Sequence, residues 1–230
     1  MRNHFIAVSI AAALVMSACA TNNTKTTTNS FQAKQAAKTL VVKPDVELKI
    51  LMASGLQETR ADWSLSGTEN LAAALEAELK SRGADISVMN PSEGLSAKQT
   101  QIIKLNDAVA TTSLTYDFMG RGLPTKKDKF DRTLGPGASA LSIGTGSDYA
   151  LMVRARGSFS SGGKIAMNIA MAALGGPVQT GGTQLYATLV DLKTGDIVWS
   201  SLASTALGSD LRKPGGADTV VKSLMKDFPL

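Results

Sequence analysis

An α/β (α+β) fold, a single mixed β-sheet with helices packed on it, is what the 230-residue sequence predicts. Three observations lead there. Strand-length alternating stretches and helix-period stretches follow one another along the chain instead of segregating. Ser66 with Glu69, and Ser96 with Gln99, read as capping boxes that open helices. A Thr194-Gly195 turn between two apolar runs reads as a β-hairpin. No internal repeat is visible, and the length fits one domain.

The elements follow in order. Val46, Leu48, Ile50 and Met52 alternate with Glu47, Lys49 and Leu51, a strand with one apolar face. After the Ser66 box, Leu71, Leu75 and Leu79 fall on one helix face, and Gly83 supplies a helix C′ residue. Ile86 and Val88 mark a short strand that Pro91 stops. After the Ser96 box, Ile102, Leu105 and Val109 carry an amphipathic helix to about Ser113. The stretch 117–147 is rich in Gly and Pro, with room for a short helix over 138–143. Tyr149 to Arg156 is a strand with Tyr149, Leu151, Val153 and Ala155 on one face and Met152, Arg154 and Arg156 on the other. Residues 165–174 are apolar nearly all round and helical by their Ala and Met content. Strands over 184–191 and 197–202 flank Leu192-Lys193-Thr194-Gly195, with Gly195 in a left-handed position and Asp191 accepting turn amides. A closing helix covers 217–226. Trp63 and Trp199 read as core or sheet-packing residues.

The N-terminus reads as an address. Arg2 and His4 form a positive start, and 5–16 is an apolar run of about 12 residues, too short to span a bilayer core of roughly 30 Å. Met16-Ser17-Ala18-Cys19 resembles the bacterial lipobox, which implies cleavage before Cys19 and acylation of its thiol; the lipobox favours Leu where Met16 stands. Ala20, where an Asp would retain the product at the inner membrane, implies the outer membrane and its periplasmic face. The expected domains are a signal peptide over 1–18, a lipidated flexible tether over 19–40, and one α/β periplasmic domain over 41–230. The tether expectation rests on Thr/Asn-rich composition without apolar periodicity.

The chain carries 24 Lys+Arg, 19 Asp+Glu and one His, a net charge of +5. The only His is His4 and the only Cys is Cys19. Cleavage and acylation therefore leave no imidazole and no thiol, which excludes Ser-His-Asp and Cys-His catalysis and His/Cys zinc sites. No cofactor or metal is expected, no catalytic residue is assigned, and no basic block of nucleic-acid type is present. Ser161-Gly162-Gly163-Lys164 fails the phosphate-loop pattern, since Ser158 stands where Gly is needed and Ile165 where Ser or Thr is needed.

Two segments are candidate partner contacts. One is the basic loop with Lys126, Lys127, Lys129 and Arg132, interleaved with Phe118, Leu123 and Phe130. The other is the insertion 157–182, whose apolar helix and Lys164, Ile165 and Ile169 form either a core helix or an exposed patch. Glycines at 162, 163, 175, 176, 181 and 182 give that insertion a hinged look.

The run from Tyr186 to Trp199, with Asp191-Leu192-Lys193-Thr194-Gly195 at its turn, resembles the late hairpin of envelope lipoproteins. These include the curli-secretion lipoprotein, the penicillin-binding-protein activator lipoprotein and the N-terminal domain of the Tol-Pal propeller protein. Leu123-Pro124-Thr125-Lys126, Leu134-Gly135-Pro136-Gly137 and Asp148-Tyr149-Ala150-Leu151 are similar to a group of uncharacterised bacterial lipoproteins. The resemblance implies a compact α/β domain and an envelope location, and it transfers no catalytic residue. Residues 157–182 read as helical, which departs from the strand-forming insertions of a pore-forming secretion lipoprotein. The expectation is a non-enzymatic outer-membrane lipoprotein that binds an envelope protein in assembly or secretion. One alternative is a self-assembling structural or transport subunit, a homo-oligomer that leaves the 165–174 helix exposed in the single chain. Another is a carboxylate-based cell-wall hydrolase with two carboxylates facing one cleft.

Overall fold

The computed structural model describes residues 21–26, 31, 37–119, 122, 123, 125, 126, 129–205 and 209–229. Eight strands are described: β1 Thr21–Thr26, β2 Lys38–Val42, β3 Asp45–Leu51, β4 Gln57–Thr59, β5 Asp85–Met89, β6 Tyr149–Ser160, β7 Thr183–Asp191 and β8 Ile197–Thr205. They form one mixed sheet in the order β1-β8-β7-β6-β2-β5. The interleaved helices are α1 Ala61–Ser81, α2 Ala97–Ser113, α3 Gly162–Ala173 and α4 Pro214–Leu224.

The long strand β6 organises the sheet. On one edge it pairs antiparallel with β7, from Tyr149 opposite Asp191 to Gly157 opposite Thr183. On the other it takes β2 against Tyr149–Leu151 and β3 against Arg154–Ser160, both parallel. Lys43 and Pro44 separate β2 from β3, and Pro44 has no N–H to continue a ladder.

Side-chain alternation on β6 serves two layers. Leu151, Val153 and Ala155 point to the core shared with Leu71, Leu75 and Leu79 of α1 and with Val220, Val221 and Leu224 of α4. Ala150 and Met152 point to the opposite core, with Ile102 of α2 and Leu134, Ala138 and Leu141 of the 129–143 segment. Helices therefore cover both faces, and the predicted apolar face of α1 is fully buried. Trp199 is buried and meets Phe228 edge-on, as its strand position suggests.

Two expectations change. The helix opened by Ser66 in the sequence reading begins earlier, at Ala61, so Ser66 is interior and its hydroxyl donates to Asp62 O instead of capping. The box at Ser96 and Gln99 forms as predicted. The segment expected as a flexible tether contributes two strands: β1 pairs antiparallel with β8, and β2 starts at Lys38 inside the sheet. Phe31, between them, meets Tyr149 edge-on at 6.0 Å. The Thr-rich sequence of β1 carries no apolar period, but an edge strand needs only backbone partners, and Thr tolerates extended backbone well. The signal peptide over 1–18 and Cys19 lie outside the described residues.

Candidate functional site

The helix α3 has its amphipathicity reversed. Its buried residues are Lys164 and Asn168, while Ile165, Met167 and Ile169 are exposed. Ser161 caps the helix, accepting from Lys164 N at 3.1 Å. One turn apart, Lys164 and Asn168 face the returning chain, where Lys164 Nζ meets Gln179 Oε1 at 3.2 Å and Asn168 Nδ2 donates to Gln179 O at 2.8 Å. The polar side chains thus clasp the insertion to itself. The apolar ones face outward, with Ile169 67 % and Leu174 83 % exposed.

Two of the insertion's glycines are required by position. Gly175 closes α3 with φ +71°, and a Cβ on Gly181 would lie 2.0 Å from Ser158 O. Between α3 and the ends of β6, β7 and β8 runs a groove of about 540 Å³, lined by Phe159, Ile165, Ile169, Ala172, Val178 and Arg212 among others. The Ser160 hydroxyl in its wall is buried with no hydrogen-bond partner.

At this end of the sheet the segments 51–57 and 158–182 contain one charged residue, Lys164, and it is 4 % exposed. The charged side chains near this end, Glu58, Arg60, Asp62, Asp210 and Arg212, lie outside these two apolar segments, and Arg60–Asp62 and Arg212–Asp210 are ion pairs. Leu56, at the β3–β4 reversal, is a further exposed apolar side chain. At the rim, the guanidinium of Arg212 lies over Trp63 at 4.3 Å and over Phe159 at 4.0 Å, and that of Arg60 lies over Trp63 at 4.7 Å.

The basic loop lies at the other end. Its 129–135 part docks on the β7–β8 hairpin through Leu134 N to Gly195 O and a bridge between Thr133 and Asp196. The nine-residue β7 separates this hairpin from α3, about 30 Å at the rise of a strand. The two sets of predicted contacts are therefore not one surface. Ile165 and Ile169 are exposed, as is Lys129. Lys126 pairs with Asp131 at 2.9 Å. Lys127 lies outside the described residues.

Two of the predicted contacts are withdrawn by burial. Arg132 is buried and holds Asp117 through two hydrogen bonds, Nε to Oδ2 at 3.0 Å and Nη2 to Oδ1 at 2.6 Å. That hydrogen-bonded carboxylate raises the Arg132 pKa above its usual value. Lys164 is buried in its clasp with Gln179. Charge in sequence marked both as surface residues; their polar partners, 15 positions away in each case, put them inside.

A second cleft, also about 540 Å³, opens where β2 gives way to β3, beside α2. Lys43, Asp45, Lys104, Asp107, Arg154 and Tyr186 are among its lining residues. Asp45 pairs with Arg156, and Arg154 Nη1 donates to Thr111 Oγ1 at 3.0 Å. Burial, with Asp45 adding to it, pushes the Asp107 carboxyl above its ordinary range against the pull of Arg154 and Arg156. Two carboxylates thus share a cleft, each attended by guanidinium groups. Arg154 and Arg156 were legible as one strand face; their partners come from 43 residues and more away in sequence and were not. Among the described residues no cluster of acidic, His or Cys side chains has the makings of a metal site.

No protein-family model matches the chain, and no curated protein matches it. Solved structures similar to it include the PelC dodecamer from Paraburkholderia phytofirmans, at 12 % identity over 90 % of this chain and 95 % of that one, with a TM-score of 0.43. The C-terminal domain of LpoB from Salmonella enterica matches at 15 % identity over 76 % of this chain and 85 % of that one, with a TM-score of 0.29. Lipoprotein GNA1162 from Neisseria meningitidis matches at 15 % identity over 83 % of this chain and 96 % of that one, with a TM-score of 0.32.

Proposed function

We propose that this chain is a non-enzymatic lipoprotein of the bacterial envelope. Acylated Cys19 anchors it in the outer membrane on the periplasmic side, and it works by associating with an envelope protein of assembly or secretion. The observation that carries the reading is α3, which hides its only charge and presents Ile165, Met167 and Ile169. A helix built this way leaves apolar area in water that a partner or the membrane carrying the anchor has to cover. Burying one such Ile or Leu side chain is worth about 1.5–3 kcal/mol. The lipobox-like residues before Cys19 supply the location, and the loss of His4 with the signal peptide supports a role in binding over catalysis. The cleft with Asp45 and Asp107 and the exposed Lys129 are surfaces available to a polar protein partner.

A second reading, self-assembly through α3, is favoured by the same exposure in the single chain. Crosslinking of intact cells and capture through a C-terminal tag separates the two. Enrichment of an envelope protein over a Cys19→Ser control supports the accessory reading. A ladder of the chain alone supports self-assembly and contradicts it.

A further inference from the structure

We propose that the α3 end of the sheet seats on the surface of a lipid bilayer, with Leu56, Ile165, Ile169 and Leu174 at the boundary of headgroups and acyl chains. The inference rests on the reading of Cys19 as the lipid-bearing residue.

The point of entry of the chain carries it. β1 runs antiparallel to β8 with Thr21 opposite Ser204, one residue from the end of β8 at Thr205. Thr205 lines the groove beside α3. Cys19 precedes Thr21 by two residues, a covalent reach of about 7 Å. An anchor at Cys19 therefore leaves no long spacer. It brings this end of the sheet, and not the hairpin end, to the leaflet.

The surface found there has the matching chemistry. Its exposed apolar side chains come from two separate segments, the β3–β4 reversal and the 162–178 stretch. Ile165 and Ile169, one turn apart, share the groove-facing side of α3 with Ala172, and Met167, Leu174 and Leu56 lie beyond that stripe. A bilayer covers such a surface without shape complementarity, whereas a second copy would have to match it. Lys164, which would resist immersion, is withdrawn into its clasp. At the rim, Arg60 and Arg212 stack on Trp63 and Phe159, the pairing of aromatic ring and cation suited to the headgroup level. The 12-residue α3 is about 18 Å long, so it lies in the interface and does not cross. Among the described residues no helix is long and apolar enough to cross a membrane.

The test uses the full acylated chain in vesicles of phosphatidylethanolamine and phosphatidylglycerol with brominated acyl chains. An environment-sensitive fluorophore is placed at Ala170→Cys on α3, or at Lys193→Cys on the hairpin. Bromine quenching is expected to be several-fold stronger at 170 than at 193. Adding Ile165→Asp and Ile169→Asp to the Ala170→Cys chain is expected to cut the quenching at 170 several-fold while acylation persists. Unchanged quenching there would show that the anchor alone sets the distance and would overturn the seating of α3. Equal, weak quenching at both positions on an acylated chain overturns the inference and leaves the lipoprotein reading standing. Energy transfer between copies labelled at 170, without bromine quenching, also overturns it and assigns the surface to a second copy. Intact mass is measured on the same samples, and absence of the acyl mass at Cys19 overturns both readings.

Discussion

At the hairpin end of the sheet, carboxylates hold the chain reversals. Asp191 Oδ1 accepts from Lys193 N and Thr194 N, and Asp148 Oδ2 accepts from Lys38 N. At the α3 end the insertion 158–182 is closed by glycines and backbone bonds, such as Ser158 N to Gly182 O, and its one charge is buried, while Asp210 at the rim accepts from Arg212 N. The first end presents ionised groups at its reversals and packs Leu134, Ala138 and Leu141 inward, with Ile143 as an isolated exposed apolar side chain. The second has the opposite arrangement. The two ends of the sheet therefore differ in surface chemistry, and the helix that looks most like core in composition, α3, buries only Lys164 and Asn168.

The comparison can be broken at either end. The largest effect is expected at the hairpin side, from Arg132→Ala. It leaves Asp117 buried without its cation, and loss of one partner of a buried pair costs about 3–5 kcal/mol. Urea unfolding should show the loss, and a double variant Arg132→Met/Asp117→Leu should recover most of it. At the α3 side, Asn168→Ala strips Gln179 O of its donor and should cost about 1 kcal/mol. The effect should be local, read as faster hydrogen exchange over 162–179 with the sheet unchanged.

The cleft between the two ends gives a pH-dependent test. Burial holds the Asp107 carboxyl above its ordinary range, so the folded chain keeps that proton to higher pH than the unfolded chain does. Stability from this group is present below the ordinary carboxylate range and falls as pH rises through the raised value. Asp107→Asn should remove that slope and leave the protein more stable above the window, by less than about 1 kcal/mol. Denaturation midpoints on both sides of the window measure it. The smallest effect is expected from Lys126→Ala, because its exposed pair with Asp131 is worth about 0–1 kcal/mol and should fade with added salt.

Local sequence carried most of the fold. The alternation in β3 and β6, the Ser96 box, the Leu71-Leu75-Leu79 face and the Asp191–Gly195 turn each specify their structure within a few residues, and each formed. The edge strand β1 was not legible, because its pairing partner β8 lies at the far end of the chain and its own residues have no apolar period. The candidate site was half legible. Ile165 and Ile169 stood out as an apolar helix, but periodicity alone does not tell core from surface when a helix is apolar all round. What decides it is Gln179, which draws Lys164 and Asn168 inward and so turns Ile165 and Ile169 out. Arg132 shows the converse, a charged residue buried by a partner 15 positions away.

The claim that α3 presents a surface and not a core is tested most directly by urea unfolding of Ile165→Ser/Ile169→Ser beside the parent chain. The account predicts midpoints that agree, each exposed substitution changing stability by no more than about 0.5 kcal/mol. A loss of several kcal/mol, the scale of emptying a packed core at about 2–5 kcal/mol per large aliphatic side chain, would contradict it and return α3 to the core.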